Sequence, residues 1–409
     1  MSDNIPFEIQ TEIVKKLPVK SLLRFRQVSK SWKSLIDGSE FVANYHLSNK
    51  QQRLLVRHVD SPHKVVITPG YREFESKLED EKYVSIVDDD EDSFPQNKSP
   101  LMVPSNVKQL KKFPDIIGSS MGLLCLCRSF KEFYYWHGLD KKTRKKFVLW
   151  NLTIRKSITI VVPNVPNTNY FQTVVGFGVC PRTSDPKLVK ITYILSLDYM
   201  KEHIPWQVEL FSLSSGSWKS LSMSVPRKSV LLRWKQVCID KFIYWLVADR
   251  IHDVGEEIKK NLILSFDMTT EEFIEIDLPN NLAYSDNNFL HVSKLLTSLV
   301  VVEADDWPVH RKYSVWMMKH EVPNSFTKLF VINSPSESLG ILKVHGFRKT
   351  GEPIIEMNWD NTDFYNTDAH NAVFVYEPES GEISDIGIAR CGFACFAISY
   401  VETLLLLNK

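Results

Sequence analysis

Apolar residues recur at helical spacing over the first 45 positions and at strand spacing from about residue 50 onward. Ile5, Ile9, Ile13 and Leu17 fall four apart, which lays them along one face of a helix. Pro6 suits the first turn, where its missing N–H costs nothing, and Glu8 favours the positive end of the helix dipole. Leu17-Pro18 stops this helix, because a residue before proline avoids the α region. A second short helix is expected from Val19 or Ser21 to about Gln27, carrying Leu22, Leu23 and Phe25. Ser29 is placed to cap a third with Trp32, Leu35 and Ile36, and Gly38 to end it.

The later pattern is one of short β-branched and aromatic runs separated by turn residues, among them GLLCLC, SITIVV, FIYWLV and SLVVVEA. Five segments share one shape, an apolar strand, a polar turn and a second strand. They are VLWNLTIRKSITI, VELFSLSSGSWKSL, ILSFDMTTEEFIEIDL, VWMMKHEVPNSFTKLFVI and VFVYEPESGEISDIGI. Their marker aromatics Trp150, Phe211, Phe266, Trp316 and Tyr376 recur at 50 to 61 residues. Repeats of this kind suggest propeller blades, each with an unburied face that only a closed ring hides. At roughly 50 residues per blade the β region holds about six to seven. A sandwich of two large sheets is the structural competitor.

Composition narrows the function classes. The 409 residues are 44 % hydrophobic and 24 % charged, ordinary for a globular protein. A net charge of +1 gives no field toward nucleic acid or anionic membranes, so neither is an expected partner. No run nears the ~20 apolar residues that span a bilayer, and LLLL at 404–407 is far too short. No signal-peptide-like run opens the sequence, so a soluble intracellular protein, cytoplasmic and/or nuclear, is expected. Six cysteines (125, 127, 180, 238, 391, 395) sit in apolar surroundings without metal-finger spacing and read as buried free thiols. Cys125 and Cys127 should face the same side of a strand. GFG at 176–178 lacks the lysine and helix of a phosphate loop, and no GxSxG or HExxH occurs. The acidic stretch 79–92 reads as a solvated loop without the spacing of a calcium loop. KKTRKK (141–146) reads as a basic hairpin loop or a nuclear-localisation run.

The first 45 residues resemble an F-box. LPVKSLLRFRQVSKSWKSLI (17–36) is very similar to the central F-box stretch of plant F-box proteins, and IPFEI to its Leu-Pro-x-Glu-Leu start, with Ile5 for leucine. Ser29 stands where many members have cysteine. The rest resembles the plant F-box-associated, kelch-like domain. SSMGLLCLC (119–127), VLWNLTIRK (148–156) and VVGFGVCPRTSDPKLVKI (174–191) carry that likeness, with Leu152 in place of a proline and Cys180-Pro181 in place of an aspartate-containing pair.

The resemblance implies a small three-helix F-box over 1–45, followed by an all-β propeller-like substrate-recognition domain over 46–409. It implies the non-catalytic substrate receptor of a Skp–cullin–F-box ubiquitin ligase, with no cofactor or metal of its own. Its partners would be the Skp adaptor, through it the cullin and RING subunits, and an unknown protein substrate. By matched position the adaptor contacts are Ile5, Pro6, Ile9, Ile13, Leu17, Pro18, Leu22, Leu23, Val28 and Trp32, while Leu35 and Ile36 belong to core or linkage. Tyr134, Tyr135, Trp136, Trp307 and Trp359 are candidate exposed anchors for substrate. The competing functions are a Skp-binding scaffold without a cullin, and a propeller enzyme with a helical cap. The physics agrees with a docking module: 45 residues carry more apolar surface than three short helices can hide.

Overall fold

The computed structural model describes residues 5–48, 52–59, 64–68, 71–75, 81–88, 94–110, 114–128, 146–163, 171–194, 206–222, 230–253, 256–285, 290–305, 312–319, 324–335, 340–358, 371–389 and 395–406. Helix α1 runs Phe7–Lys15, α2 Val19–Phe25, α3 Lys30–Asp37 and α4 Ser39–Ser48. Pro18 follows the end of α1 as expected and stands at the N-cap of α2, while Pro6, expected within the first turn of α1, stands at its N-cap. Ser29 caps α3: its Oγ accepts from the Trp32 N–H at 3.2 Å. Arg26, just past α2, clamps Asp37 at the end of α3 with Nη2–Oδ2 at 2.9 Å.

The fourth helix was not anticipated. Gly38 does end α3, but the chain turns straight into α4, whose only strong helical signal is the pair Phe41 and Tyr45. Both are buried, and the Tyr45 hydroxyl donates to the Leu17 carbonyl at 2.7 Å. That bond ties α4 to the corner between α1 and α2.

The β region is a six-bladed propeller. Its blades are four-stranded antiparallel sheets, and in five of them the strands pair in chain order. Blade 2 comprises Asp115–Ser120, Leu123–Cys127, Lys146–Asn151 and Lys156–Val161; blade 3 comprises Phe171–Cys180, Asp185–Ile194, Gln207–Ser212 and Ser217–Leu221. Blade 4 comprises Val230–Ile239, Phe242–Asp253, Glu256–Asp267 and Glu272–Asp277. Blade 5 comprises Leu290–Leu295, Ser298–Ala304, Lys312–Met318 and Phe326–Asn333; blade 6 comprises Gly340–Phe347, Pro353–Asn358, Asn371–Tyr376 and Ile383–Ala389. Blade 1 is composite. Gln52–Val59, Glu81–Asp88 and Lys98–Pro100 come from the start of the region, and the last strand, Phe396–Val401, supplies the inner position.

That pairing, with Gln52 opposite Val401 and Arg57 opposite Phe396, closes the ring. Each inner strand touches the inner strand of the next blade all the way round. Closure completes blade 1 with a strand from the other end of the region and leaves the innermost strands as short edges sheltered around the axis. The five repeated segments are the outer hairpins of blades 2 to 6, and blade 1 is the sixth repeat. Its outer hairpin lies in the acidic stretch and lacks the shape that the other five share. Glu81–Asp88 is a strand with Tyr83, Ser85, Ile86 and Asp88 buried, so the loop expected there is corrected to a strand. Asp88 accepts from Arg348 Nε and the Lys349 N–H, each at 2.9 Å, and holds blade 1 to blade 6. A further hairpin, Lys64–Thr68 with Tyr71–Glu75, is inserted between the first strands of blade 1. Insertions and long loops raise the residues per blade above 50, which is why six blades use a length that seven would also fit.

Strand alternation sorts side chains between blade interfaces. Leu124 and Leu126 pack with Leu55, Tyr83 and Trp150 between blades 1 and 2. Leu123, Cys125 and Cys127 pack with Val175, Phe177 and Val179 between blades 2 and 3, so the two cysteines do share a face. The Gly-Phe-Gly segment follows the same rule. Phe177 fills the blade 2 side, and a Cβ on Gly176 would lie 2.2 Å from the Trp245 ring of blade 4. A Cβ on Gly178 would lie 2.5 Å from Met268 Sδ. Glycine is needed there for close packing of blades 3 and 4.

A candidate docking surface on the helical module

The inner face of the helical module is seated on the propeller through the segment after the last strand. Val14, Val19, Leu22, Ile36, Phe41 and Tyr45 form one core, and Leu404 joins it with no exposed surface. Leu405 and Leu406 point the other way, into the core between blades 2 and 3. The run that is too short to span a bilayer is thus a rivet between two cores. Polar groups fix its path. Asn151, fully buried, donates through Nδ2 to the carbonyls of Thr403 at 3.1 Å and Leu405 at 2.7 Å. Its Oδ1 accepts from the N–H groups of Thr153 and Ile154 at 2.9 and 3.1 Å. The Val19 N–H donates to Glu402 Oε2 at 3.4 Å, and Glu402 also pairs with Arg53 at 3.0 Å. Gly122, at φ +77°, lets this segment pass: a Cβ there would meet the Val401 carbonyl at 2.3 Å.

The outer face is apolar and open. Ile9 and Ile13 on α1, and Ile5 just before it, lie in one stripe and are 52 %, 51 % and 43 % exposed, and Val28 is 71 % exposed. Phe7 and Phe25 are exposed with them. In an ordinary surface helix such a stripe faces the core; here Val14 alone in α1 is buried and the isoleucines face water. Pro6 and Pro18 are exposed, while Leu17, Leu23 and Trp32 are half-buried, Trp32 resting edge-on against Phe25 at 5.9 Å. Leu22 is different: it lies wholly in the helical core, where its work is packing. The chain keeps several large apolar side chains in water on one small module, the usual mark of a protein interface. Phe7 lies off the four-residue stripe, so its exposure could be found only from the fold.

Other expected features have simpler settings. Tyr134, Tyr135, Trp136, Trp307 and Trp359 lie outside the described residues, as do 141–145 of the basic run and Asp89, Asp90 and Asp92. The five described cysteines are free and buried, and burial pushes the Cys125 thiol well above its ordinary value, away from thiolate chemistry. One group with metal-ligand chemistry forms among the described residues, His345, Glu356 and Cys395, with ligand atoms within 4.8 Å of one another. His345 Nε2 and Glu356 Oε2 already satisfy each other at 3.0 Å, and the Lys343 amine stands at 3.4 Å from the Cys395 carbonyl. A dication would meet that ammonium, so the geometry fits a hydrogen bond between His345 and Glu356 better than a metal site. No helix among the described residues is long and apolar enough to cross a membrane.

Comparison with known families decides what the two parts are. Residues 2–44 match the F-box domain, and residues 136–406 match the F-box associated beta propeller domain. The chain is an F-box protein with an F-box-associated β-propeller. Among its relatives in Arabidopsis thaliana is F-box/LRR-repeat protein At2g43260, 22 % identical over 97 % of this chain and 81 % of the relative. F-box protein At3g07870 is 24 % identical over 81 % of this chain and 73 % of its own length. F-box protein CPR1 is 22 % identical over 98 % of this chain and 89 % of its own length. A solved β-propeller domain, from the Trilobed protease of Pyrococcus furiosus, is 9 % identical over 82 % of this chain and 83 % of that one, at a TM-score of 0.35. That likeness is too low to argue from, and the blade count rests on this chain's own strand pairing. Within the F-box, the stripe of α1 and the corners at Val28 and Pro18 form the open surface. Within the propeller, VLWNLTIRK places Trp150 in the core and Asn151 where it holds the C-terminal segment.

Proposed function

We propose that this F-box protein is the substrate-recognition subunit of a Skp–cullin–F-box ubiquitin ligase, with the Skp adaptor docking on Ile5, Pro6, Ile9, Ile13, Pro18 and Val28. Leu17, Leu23 and Trp32 contribute from the half-buried rim. The observation that carries this reading is the outward apolar stripe of α1 on a module whose other face is already occupied by the propeller. Burying one such side chain contributes about 1.5–3 kcal/mol, so a partner that covers the stripe gains several-fold that amount before association costs. The division is 1–45 for adaptor binding and 46–409 for capture of a protein substrate. Loops at the ends of the ring are where such a fold carries recognition. The receptor needs no catalytic residue: it holds the acceptor lysine near a charged conjugating enzyme and so raises its effective concentration. Such a complex acts in the cytoplasm and/or nucleus.

The test is a pull-down of the full chain with recombinant Skp adaptor beside Ile9→Asp/Ile13→Asp. Both positions are exposed, so the variant keeps its fold. Capture of the wild type and loss in the variant is the expected result. A folded wild type that fails to bind removes the reading. Adding cullin and RING subunits and following co-elution separates a ligase receptor from a scaffold that stops at the adaptor.

A further inference from the structure

The helical module carries a charge pattern that its own fold does not use. Residues 5–48 hold seven Lys and Arg against four Asp and Glu, a surplus of three in a chain whose total is +1. Two of the cations are engaged within the module: Lys15 meets Glu12 at 2.7 Å, and Arg26 clamps Asp37. The other five, Lys16, Lys20, Arg24, Lys30 and Lys33, are exposed and form no ion pair with a carboxylate among the described residues. They accompany the open apolar positions along the chain. Lys16 and Lys20 stand two residues either side of Pro18, Arg24 stands beside Phe25, and Lys30 lies two residues beyond Val28. Three of them also oppose the local rule for helices. Lys20 lies in the first turn of α2, and Lys30 and Lys33 in the first turn of α3, and neither turn contains an acid. The first turn is the positive end of a helix, where an acid stabilises and a cation costs. α1 and α4 obey the rule, with Glu8 and Glu40 in their first turns. A residue choice that works against its own helix is expected where function requires it.

We propose that these five side chains form a cationic rim to the apolar docking face, and that the adaptor surface it receives is acidic and is steered in by it. The proposal rests on the docking reading above and adds the chemistry of the partner. Carboxylates are expected opposite Pro18 and Val28, and a neutral or basic group opposite the start of α1, where Glu8 is exposed. Rim and apolar stripe divide the work. Exposed ion pairs contribute little to the lifetime of a complex, and the buried isoleucines supply that. The field of the rim acts earlier, over a Debye length of about 10 Å at 0.1 M salt, and raises the rate at which partners meet in the right orientation. The same cations oppose a partner whose facing surface is basic, which gives the docking face a choice that apolar contact alone cannot make.

The experiment is stopped-flow association of the full chain with recombinant Skp adaptor, between about 0.02 and about 0.5 M salt. Wild type is compared with Lys20→Glu/Lys30→Glu and with Lys312→Glu/Lys328→Glu, an equal charge change at exposed positions of blade 5. The wild-type kon should fall about tenfold or more across the salt range. Lys20→Glu/Lys30→Glu should lower kon about tenfold at the low end and converge with wild type at the high end, with koff moving less than about threefold. The blade 5 pair should follow the wild type. The urea midpoint of Lys20→Glu/Lys30→Glu should equal or exceed that of the wild type, because acids now stand at two helix starts. A variant that folds at least as well and associates more slowly separates docking from a structural role. A kon indifferent to salt, equal slowing by both double variants, or a loss confined to koff overturns the proposal and leaves the docking reading in place. So does binding to phosphatidylserine vesicles that Lys20→Glu/Lys30→Glu abolishes while adaptor association is unchanged, which assigns the rim to a membrane surface. No capture of the folded wild type at any salt removes the docking reading, and the cationic rim with it.

Discussion

Leu404→Ala tests how much of the seat of the F-box on the propeller depends on one side chain from the far end of the sequence. Leu404 is fully buried among Val14, Val19, Leu22, Ile36, Phe41 and Tyr45, all of which belong to the helices. Truncating a buried leucine costs about 3 kcal/mol, the lost transfer energy plus the cavity left behind. Here the cost falls on one face of a module too small to rebuild its core from elsewhere. At about 1.4 kcal/mol per tenfold, the helices should open roughly a hundredfold more often. Amide hydrogen exchange under conditions where the rate follows the opening equilibrium reads this directly. Amides of α2 and α3 should exchange roughly a hundredfold faster, and those of blades 4 and 5 should change little. Leu405→Ala is the companion measurement, because its neighbour's side chain points into blades 2 and 3 and should loosen those instead. An equal loss of protection in helices and all blades, or less than a fivefold change in the helices, would refute the idea of a separable seat.

Asn151→Ala should cost about 3 kcal/mol in denaturant unfolding, since it strands two carbonyls and two N–H groups at a buried site. Asn151→Asp, although the same shape, should do no better, because its donor becomes an acceptor facing two carbonyls. His291 gives a pH signature. Its folded value lies below 6.5, under the pressure of burial, then Lys235, Lys343 and His345, with Arg233 and Tyr313 also lining its cavity. Below pH 6.5 the unfolded chain therefore binds a proton that the folded chain does not. Stability is full above that pH and falls below it, by up to about 1.4 kcal/mol per pH unit. His291→Asn should flatten this limb in urea midpoints measured between pH 6.5 and 5, and an unchanged slope would discard the assignment. Ile9→Asp/Ile13→Asp should shift the unfolding midpoint by less than about 0.5 kcal/mol per site, as exposed positions do, while adaptor capture is lost.

Much of this protein is legible before folding because local rules decide it. Prolines at 6 and 18, the Ser29 cap and Gly38 set three helices by their own backbone chemistry. Period-two alternation in GLLCLC correctly places Cys125 and Cys127 on one face, with Leu124 and Leu126 on the other, since a strand's two faces are fixed by its pleat. The five repeated hairpins fix the blade as the unit. What the sequence could not decide was anything set by contacts between its ends. Whether the stripe Ile5, Ile9, Ile13 faces a core or water depends on which face the propeller takes, and periodicity is the same in both cases. The acidic stretch around Glu81–Asp88 became a strand because blade 1 needed its outer hairpin and Arg348 could neutralise Asp88. The number of blades waited on Phe396–Val401 pairing with Gln52–Val59, a ladder between residues more than 300 apart. The same closure carries Leu404 to the helices, because a ring can be sealed only by bringing its two ends together.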